Sequence, residues 1–145
     1  TIQYQIQEML RIERIFEVDG IQEELDVYNP LIPDGTNLKA TFMIEYGDPE
    51  DRKQALAKMI GIERSVQIKV DGFDPVTPIA NEDLERETEE KTSSVHFLRF
   101  EFTPEMIDAA QNGAAITMAI DHPAYRYQTE ALPEAKRASL VKDFD

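Results

Sequence analysis

Two histidines, His96 and His122, are the only side chains in this sequence whose ordinary titration lies near neutral pH, and they are also its best nitrogen ligands. His122 stands at the exit of a predicted strand, within Asp121-His122-Pro123-Ala124-Tyr125. Proline disfavours the helical region for the residue before it, so His122 is held extended, in a position to reach across the rim of a sheet. There it is either a structural turn residue or, with Asp121 beside it, a ligand or proton-transfer group. Two histidines completed by Asp121 or another carboxylate would suit zinc, iron or manganese, which makes His96 and His122 the candidate metal ligands. His96 falls on a predicted strand, Val95–Phe102, where alternation gives it the same face as Leu98, Phe100 and Phe102. That face reads as core, so a hydrogen-bonded structural histidine competes with the metal reading.

Arg99 and Glu101 share the other face of that strand with Phe97. If the face is covered both charges need partners, because an unpaired buried charge costs several kcal/mol. Glu8 or Glu13 of the first helix is the expected partner of Arg99, in an ion-pair network that sets helix-to-sheet register; an anion-binding arginine is the alternative. His122, Asp121 and Arg99 are therefore the candidate catalytic residues. Ser94 shares a strand face with His96, but nothing in that spacing marks an activated nucleophile.

Several chemistries are excluded outright. The six glycines, at positions 20, 35, 47, 61, 72 and 113, cannot form a dinucleotide fingerprint or a phosphate-cradling loop. There is no Gly-x-Ser-x-Gly elbow, no His-Glu-x-x-His, and no Glu three residues before either histidine. With no cysteine there is no thiolate nucleophile, disulfide or cysteine-held cluster within this chain. Against 29 acidic residues stand 15 basic ones, a formal charge of −14 that repels phosphate backbones and anionic membrane surfaces, so neither nucleic acid nor membrane is an expected partner. The charge is uneven. Residues 17–26 hold five acids and no base, and residues 82–91 six acids and two bases, so these two windows carry −9 of it. Each is a candidate docking patch for a protein partner, or simply a solvated face.

The elements that must position these residues follow from periodicity and punctuation. The 145 residues suit one domain, and Leu, Ile, Val and Phe together supply 37, about a quarter of the chain and enough for a core. The longest uncharged apolar stretch, around Ala114–Ile120, falls far short of the roughly 18–20 residues of a membrane span, and no signal peptide opens the chain, so a soluble, cytoplasmic protein is expected. A helix is predicted over residues 1–18, broken by Gly20, then a short helix over Ile21–Tyr28 and a loop over Asn29–Asn37. Two passages are built alike: strand Leu38–Tyr46, helix from Asp48-Pro49-Glu50 to about Ile60, Gly61, strand Ser65–Val70; and strand Val95–Phe102, helix from Thr103-Pro104-Glu105 to Gln111, Asn112-Gly113, strand Ala114–Asp121. Each has a capping residue, a first-turn proline, an acid at the dipole's positive end and an exit glycine. Between them, Val76–Ile79 reads as an edge strand beside two prolines, and Asn81 as the cap of a charged helix or ordered loop over Glu82–Lys91. Asp121–Leu132 reads as irregular, and Pro133–Phe144 as a final helix docking through Leu140, Val141 and Phe144. The fold class is α+β: two N-terminal helices and a C-terminal helix on a mostly antiparallel sheet of four or five strands, mixed if the short helices are true crossovers.

Five stretches in order carry a resemblance: Tyr4–Ile15 (YQIQEMLRIERI), Glu24–Gly35 (ELDVYNPLIPDG), Leu38–Thr41 (LKAT), Glu82–Arg86 with Lys91–Glu101 (EDLER, KTSSVHFLRFE) and Asp121–Tyr125 (DHPAY). With them the chain resembles the uncharacterised bacterial family called domain of unknown function 3501, over nearly its whole length. The resemblance implies no established activity and no accepted catalytic residues or cofactor. It implies a longer N-terminal segment in other members, and, through neighbouring genes for rubrerythrin-like and iron–sulfur oxidoreductase proteins, a link to redox or peroxide-stress metabolism. Two functions are therefore carried forward: an accessory protein that binds a partner, such as an oxidoreductase, through its acidic patches; and a small metal-assisted or acid–base enzyme using His122 with Asp121, with or without His96.

Overall fold

The apolar spacing of Ile2, Ile6 and Met9 produces helix α1 (Ile2–Ile12) in the computed structural model, which describes residues 1–145. The helix stops six residues earlier than its apolar pattern suggests. Arg14 adopts a left-handed conformation (φ 54°), and the Ile15 amide bonds back to the Leu10 carbonyl at 3.0 Å, the closing bond of a helix C-terminal motif that usually uses glycine. Helix α2 (Val18–Tyr28) then begins before Gly20 rather than after it. Gly20 is there for clearance: a Cβ at that position would stand 2.7 Å from Cγ2 of Ile15 in the connecting turn. Helices α1 and α2 pack on each other, and Thr1–Pro33 form a compact unit of their own.

The second unit, Asp34–Asp145, contains the two similar passages. The first is β1 (Asn37–Met43), α3 (Pro49–Lys58) and β2 (Val66–Val70); after the two-residue strand β3 (Ile79–Ala80) comes the second, β4 (Val95–Glu101), α4 (Pro104–Gln111) and β5 (Ile116–His122). Strand β6 (Tyr125–Gln128) and helix α5 (Glu134–Leu140) complete the chain, with a 3₁₀ turn at Val141–Asp143. Both helix starts are capped as their sequences indicate: the Asp48 carboxylate accepts from the amides of Glu50 and Asp51, and the Thr103 hydroxyl from that of Met106. Gly61 and Gly113 take the left-handed exits, at φ 80° and 104°.

The expected single sheet of four or five strands is instead two antiparallel sheets of three, ordered β1-β4-β3 and β2-β5-β6. The reason lies in the short helical connections. Each carries the chain from the first sheet to the second, so neither has to make a parallel crossover within one sheet, and β1 pairs antiparallel with β4 as β2 does with β5. The two passages are thus matched strand for strand. The segment between them edges both sheets: Val76 bridges Ile68 of β2, while Ile79–Ala80 pair with Arg99 and Leu98 of β4, positions where Pro75 and Pro78 need donate nothing. The Asp121–Leu132 region contains β6, closing a hairpin on β5 in the register His122↔Tyr125.

One buried cluster unites the sheets with α4 and the C-terminus: Leu38, Leu98, Phe100 and Phe102 from one side, Ile68, Val70 and Ile116 from the other, with Ile107, Ala110 and Phe144. Leu140 and Val141 pack against it, as the docking face of the last helix requires. A smaller cluster, Ile44, Leu56, Met59 and Ile62, seats α3. Arg137 of α5 reaches the carbonyl of Ala110 at 2.6 Å and so caps the C-terminal end of α4 with a positive charge.

Candidate functional site

Alternation along β4 buries His96, Leu98 and Phe100 and turns Phe97, Arg99 and Glu101 the other way. His96 is fully buried, and both of its ring nitrogens are engaged. Nδ1 accepts from the Asn81 side-chain amide at 2.9 Å, and Nε2 faces the Ser93 carbonyl at 2.9 Å and the Thr92 hydroxyl at 3.0 Å. These partners assign the proton to Nε2. Asn81 is not a helix cap: at φ 54° it turns back onto β4, donating to His96 and accepting from the Phe97 amide at 3.1 Å.

His122, at the end of β5, is also buried. Its Nε2–H donates to the Ile60 carbonyl at 2.9 Å, just beyond α3, and its Nδ1 accepts from the Ala124 amide at 3.1 Å. Proline at 123 sets up this turn, and the imidazole fastens it to the helix in front. Asp121 points away, exposed and paired with Arg126 across the hairpin at 3.1 Å. The two histidines thus sit in different sheets, each with both nitrogens occupied, and no three His, Asp or Glu side chains anywhere converge as a metal site would require.

Arg99 takes partners from its own unit rather than from Glu8 or Glu13. It grips Glu82 with two bonds, 2.9 and 2.7 Å, and also contacts Glu101. Glu101 accepts further bonds from Asn37 at 2.8 Å and Thr36 at 3.1 Å; Asn37, itself buried, reaches on to Asp34, which holds Lys39 at 3.1 Å. The Arg99 guanidinium holds Glu82 below the ordinary carboxylate range, and hydrogen bonds from Asn37 and Lys39 do the same for Asp34. Burial alone would raise Glu101, but bonds from Asn37, Arg99 and Thr36 outweigh it and lower it too. Carboxyls that ionise more readily folded than unfolded stabilise the fold above their ordinary values, 4.5 for Glu and 3.8 for Asp, and this contribution is lost as pH falls through their lowered values. Thermal melts are therefore expected to be level from about pH 7 to 5 and to fall steeply below about pH 4.5, with a shallower fall in Arg99→Met. An equally steep fall in Arg99→Met would assign the acid sensitivity elsewhere.

Beside this network lies a cavity of about 440 Å³, lined by Glu63, Arg64, Asn81, Glu82, Arg86 and Glu87 among others. Glu63, in the 3₁₀ turn Ile62–Ser65, has a buried carboxylate whose Oε2 makes no hydrogen bond. Arg64 approaches Glu63 only to 3.8 Å but bonds Glu87 at 2.7 Å. Burial pushes the Glu87 carboxyl up, yet Arg64, the Gly61 amide and the Glu63 side chain together bring it below its usual range. Arg86 is paired with Asp83 and stands over the Phe97 ring, 4.7 Å from its centroid, which leaves its Nε without a partner. No sequence signal marks Glu63 or Arg86, since Ile-Glu-Arg-Ser after a helix and an arginine within an acidic run both read as surface.

The two acidic windows differ. In residues 82–91, Glu82, Asp83 and Glu87 are spent on Arg99, Arg86 and Arg64. In residues 17–26, none of Glu17, Asp19, Glu23, Glu24 and Asp26 has an ion-pair partner; Asp26 accepts only from Gln22, at 2.7 Å. The same helical unit exposes Tyr4, Ile12, Phe16, Val18 and Val27, Phe16 by 81% and Val18 by 79%.

Comparison with known proteins adds kinship but no activity. The sequence model of the family described as protein of unknown function (DUF3501) matches residues 1–144. A crystal structure of a novel protein of unknown function from Burkholderia pseudomallei K96243 is 53% identical and superposes with a TM-score of 0.89, over 99% of this chain and 75% of that one. Among curated proteins none is significantly similar.

Proposed function

This chain belongs to the DUF3501 family of proteins of unknown function, and we propose that it acts as a binding protein, docking a basic, amphipathic segment of a protein partner on its N-terminal helical unit. The observation that carries this reading is that Phe16 and Val18, among the most exposed large apolar side chains of the molecule, belong to the same helical unit as five carboxylates that no arginine or lysine pairs with. Exposed apolar side chains gain roughly 25 cal/mol for each Å² they bury on docking. Uncompensated acids around them attract basic partners over about a Debye length and repel acidic ones. Residues 1–33 hold seven acidic and two basic residues, and the whole chain carries −14, so a second copy is electrostatically disfavoured as the occupant. A redox protein with a basic face is one partner this chemistry accommodates.

Fluorescence anisotropy with a labelled amphipathic Lys/Leu helix tests the reading. The full chain is expected to bind it in the micromolar range, about tenfold more weakly as salt rises from roughly 50 to 300 mM. The double variant Phe16→Ser/Val18→Ser is expected to lose at least about tenfold in affinity, through lost apolar burial. A Glu/Leu peptide of the same pattern should not bind; equal binding of the two peptides would end this reading.

A further inference from the structure

We propose that the cavity beside Glu63 is a binding site for a small zwitterion, a molecule of amino-acid size with an ammonium group and an oxygen that accepts a hydrogen bond. Of all the buried side-chain nitrogen and oxygen atoms in the protein, two lack a partner, Glu63 Oε2 and Arg86 Nε, and both residues line this one cavity. Native proteins leave few such groups, because each forfeits its hydrogen bond to water. Here one is an acceptor and the other a donor, so the complementary ligand presents a donor at one end and an acceptor at the other.

Charge refines this complement. The Glu63 side chain is only 2% exposed, and its nearest cation, Arg64, stands at 3.8 Å while committed to Glu87 at 2.7 Å. Glu63 also hydrogen-bonds the Glu87 side chain, so two adjacent carboxyls share one arginine, and an ammonium supplies the second cation that this acidic pair lacks. Arg86 has its Nη2 on Asp83 and its face on Phe97, so what it can offer is the Nε–H, suited to a carboxylate or carbonyl oxygen. A metal ion is a poor alternative, because no three acidic or histidine side chains converge here. The volume, about 440 Å³, lies within the roughly 300–1,000 Å³ usual for small-molecule pockets. Arg64, whose side chain is 67% exposed, is the wall that swings aside, giving up its bond to Glu87 as the ammonium takes its place near Glu63 and Glu87. The site belongs to the second unit and does not depend on the docking surface of the first.

The test is a thermal-shift and calorimetric titration of the full chain with α-amino acids and β-alanine, matched simple amines such as ethylamine, and matched acids such as acetate. At least one zwitterion at about 10 mM is expected to raise the melting temperature by about 2 °C or more. Its affinity should fall at least about tenfold in Glu63→Gln, and about tenfold in Arg86→Lys, which keeps the charge but moves the donor. The unliganded Glu63→Gln protein should melt no lower than the wild type, since the amide keeps a donor for Glu87 and removes one of two adjacent carboxyls. A wild type that responds to no zwitterion, a Glu63→Gln variant that binds as tightly, or amines or acids alone that bind as well as zwitterions would each overturn the assignment. So would a Glu63→Gln variant that melts well below wild type in the absence of any wild-type response, which would make the carboxylate structural.

Discussion

Replacing His96 with leucine is expected to cost the folded protein about 3–5 kcal/mol, although the substitution is close in volume and puts an apolar side chain on an apolar face. The imidazole is completely buried and serves three neighbours: the Asn81 amide at Nδ1, and the Ser93 carbonyl and Thr92 hydroxyl at Nε2. Leucine leaves the Asn81 donor and the Ser93 acceptor without partners in a dry interior, each at about 1–3 kcal/mol. The damage should spread along the strand edge, because Asn81 also accepts from the Phe97 amide and so ties the end of β3 to β4. For a domain of this size the loss corresponds to a melting temperature lower by about 10 °C. Metal content measured by mass spectrometry should be the same in both proteins. A cost below about 1 kcal/mol would show that the buried network does little for the fold.

His122→Ala is expected to cost about 2–4 kcal/mol by a different route. The imidazole is a bracket between elements: it donates to the Ile60 carbonyl after α3 and accepts from Ala124 in the β5–β6 turn. Alanine frees both groups and opens a void behind the turn. Asp121→Asn, by contrast, alters only an exposed pair with Arg126 and should change stability by less than about 1 kcal/mol. Neither variant should affect binding of the Lys/Leu peptide. If His122→Ala abolished peptide binding while leaving stability intact, His122 would belong to a functional site and not to the scaffold.

Much of this fold was legible, for identifiable reasons. Asp48-Pro49-Glu50 and Thr103-Pro104-Glu105 announce helix starts because cap, proline and acid each answer a separate need of the first turn. His96 could be assigned to the core face of β4 because alternation is rigid in a strand. The split into two sheets was hidden, since strand patterns carry no pairing information and a link with one short helix fits several topologies. Strand β6 carries no strand signal in the sequence, because all four of its residues are exposed and alternation has nothing to mark. The end of α1 was obscured by an arginine in a left-handed position where glycine is the usual signal. In composition the two acidic windows look alike; the distinction between them comes from Arg99, Arg86 and Arg64, two of which lie outside the window whose acids they neutralise. Glu63 and Arg86 were invisible for a related reason, because a charged side chain is read as surface until its burial is known.

Amide hydrogen exchange of the full chain, with and without the Lys/Leu peptide, tests the docking account most directly. Residues 1–28, where Phe16, Val18 and the five unpaired carboxylates lie, should gain protection on binding, while the amides of β1, β4, β2 and β5 stay unchanged. Protection confined to residues 34–145, or none anywhere at saturating peptide, would contradict it.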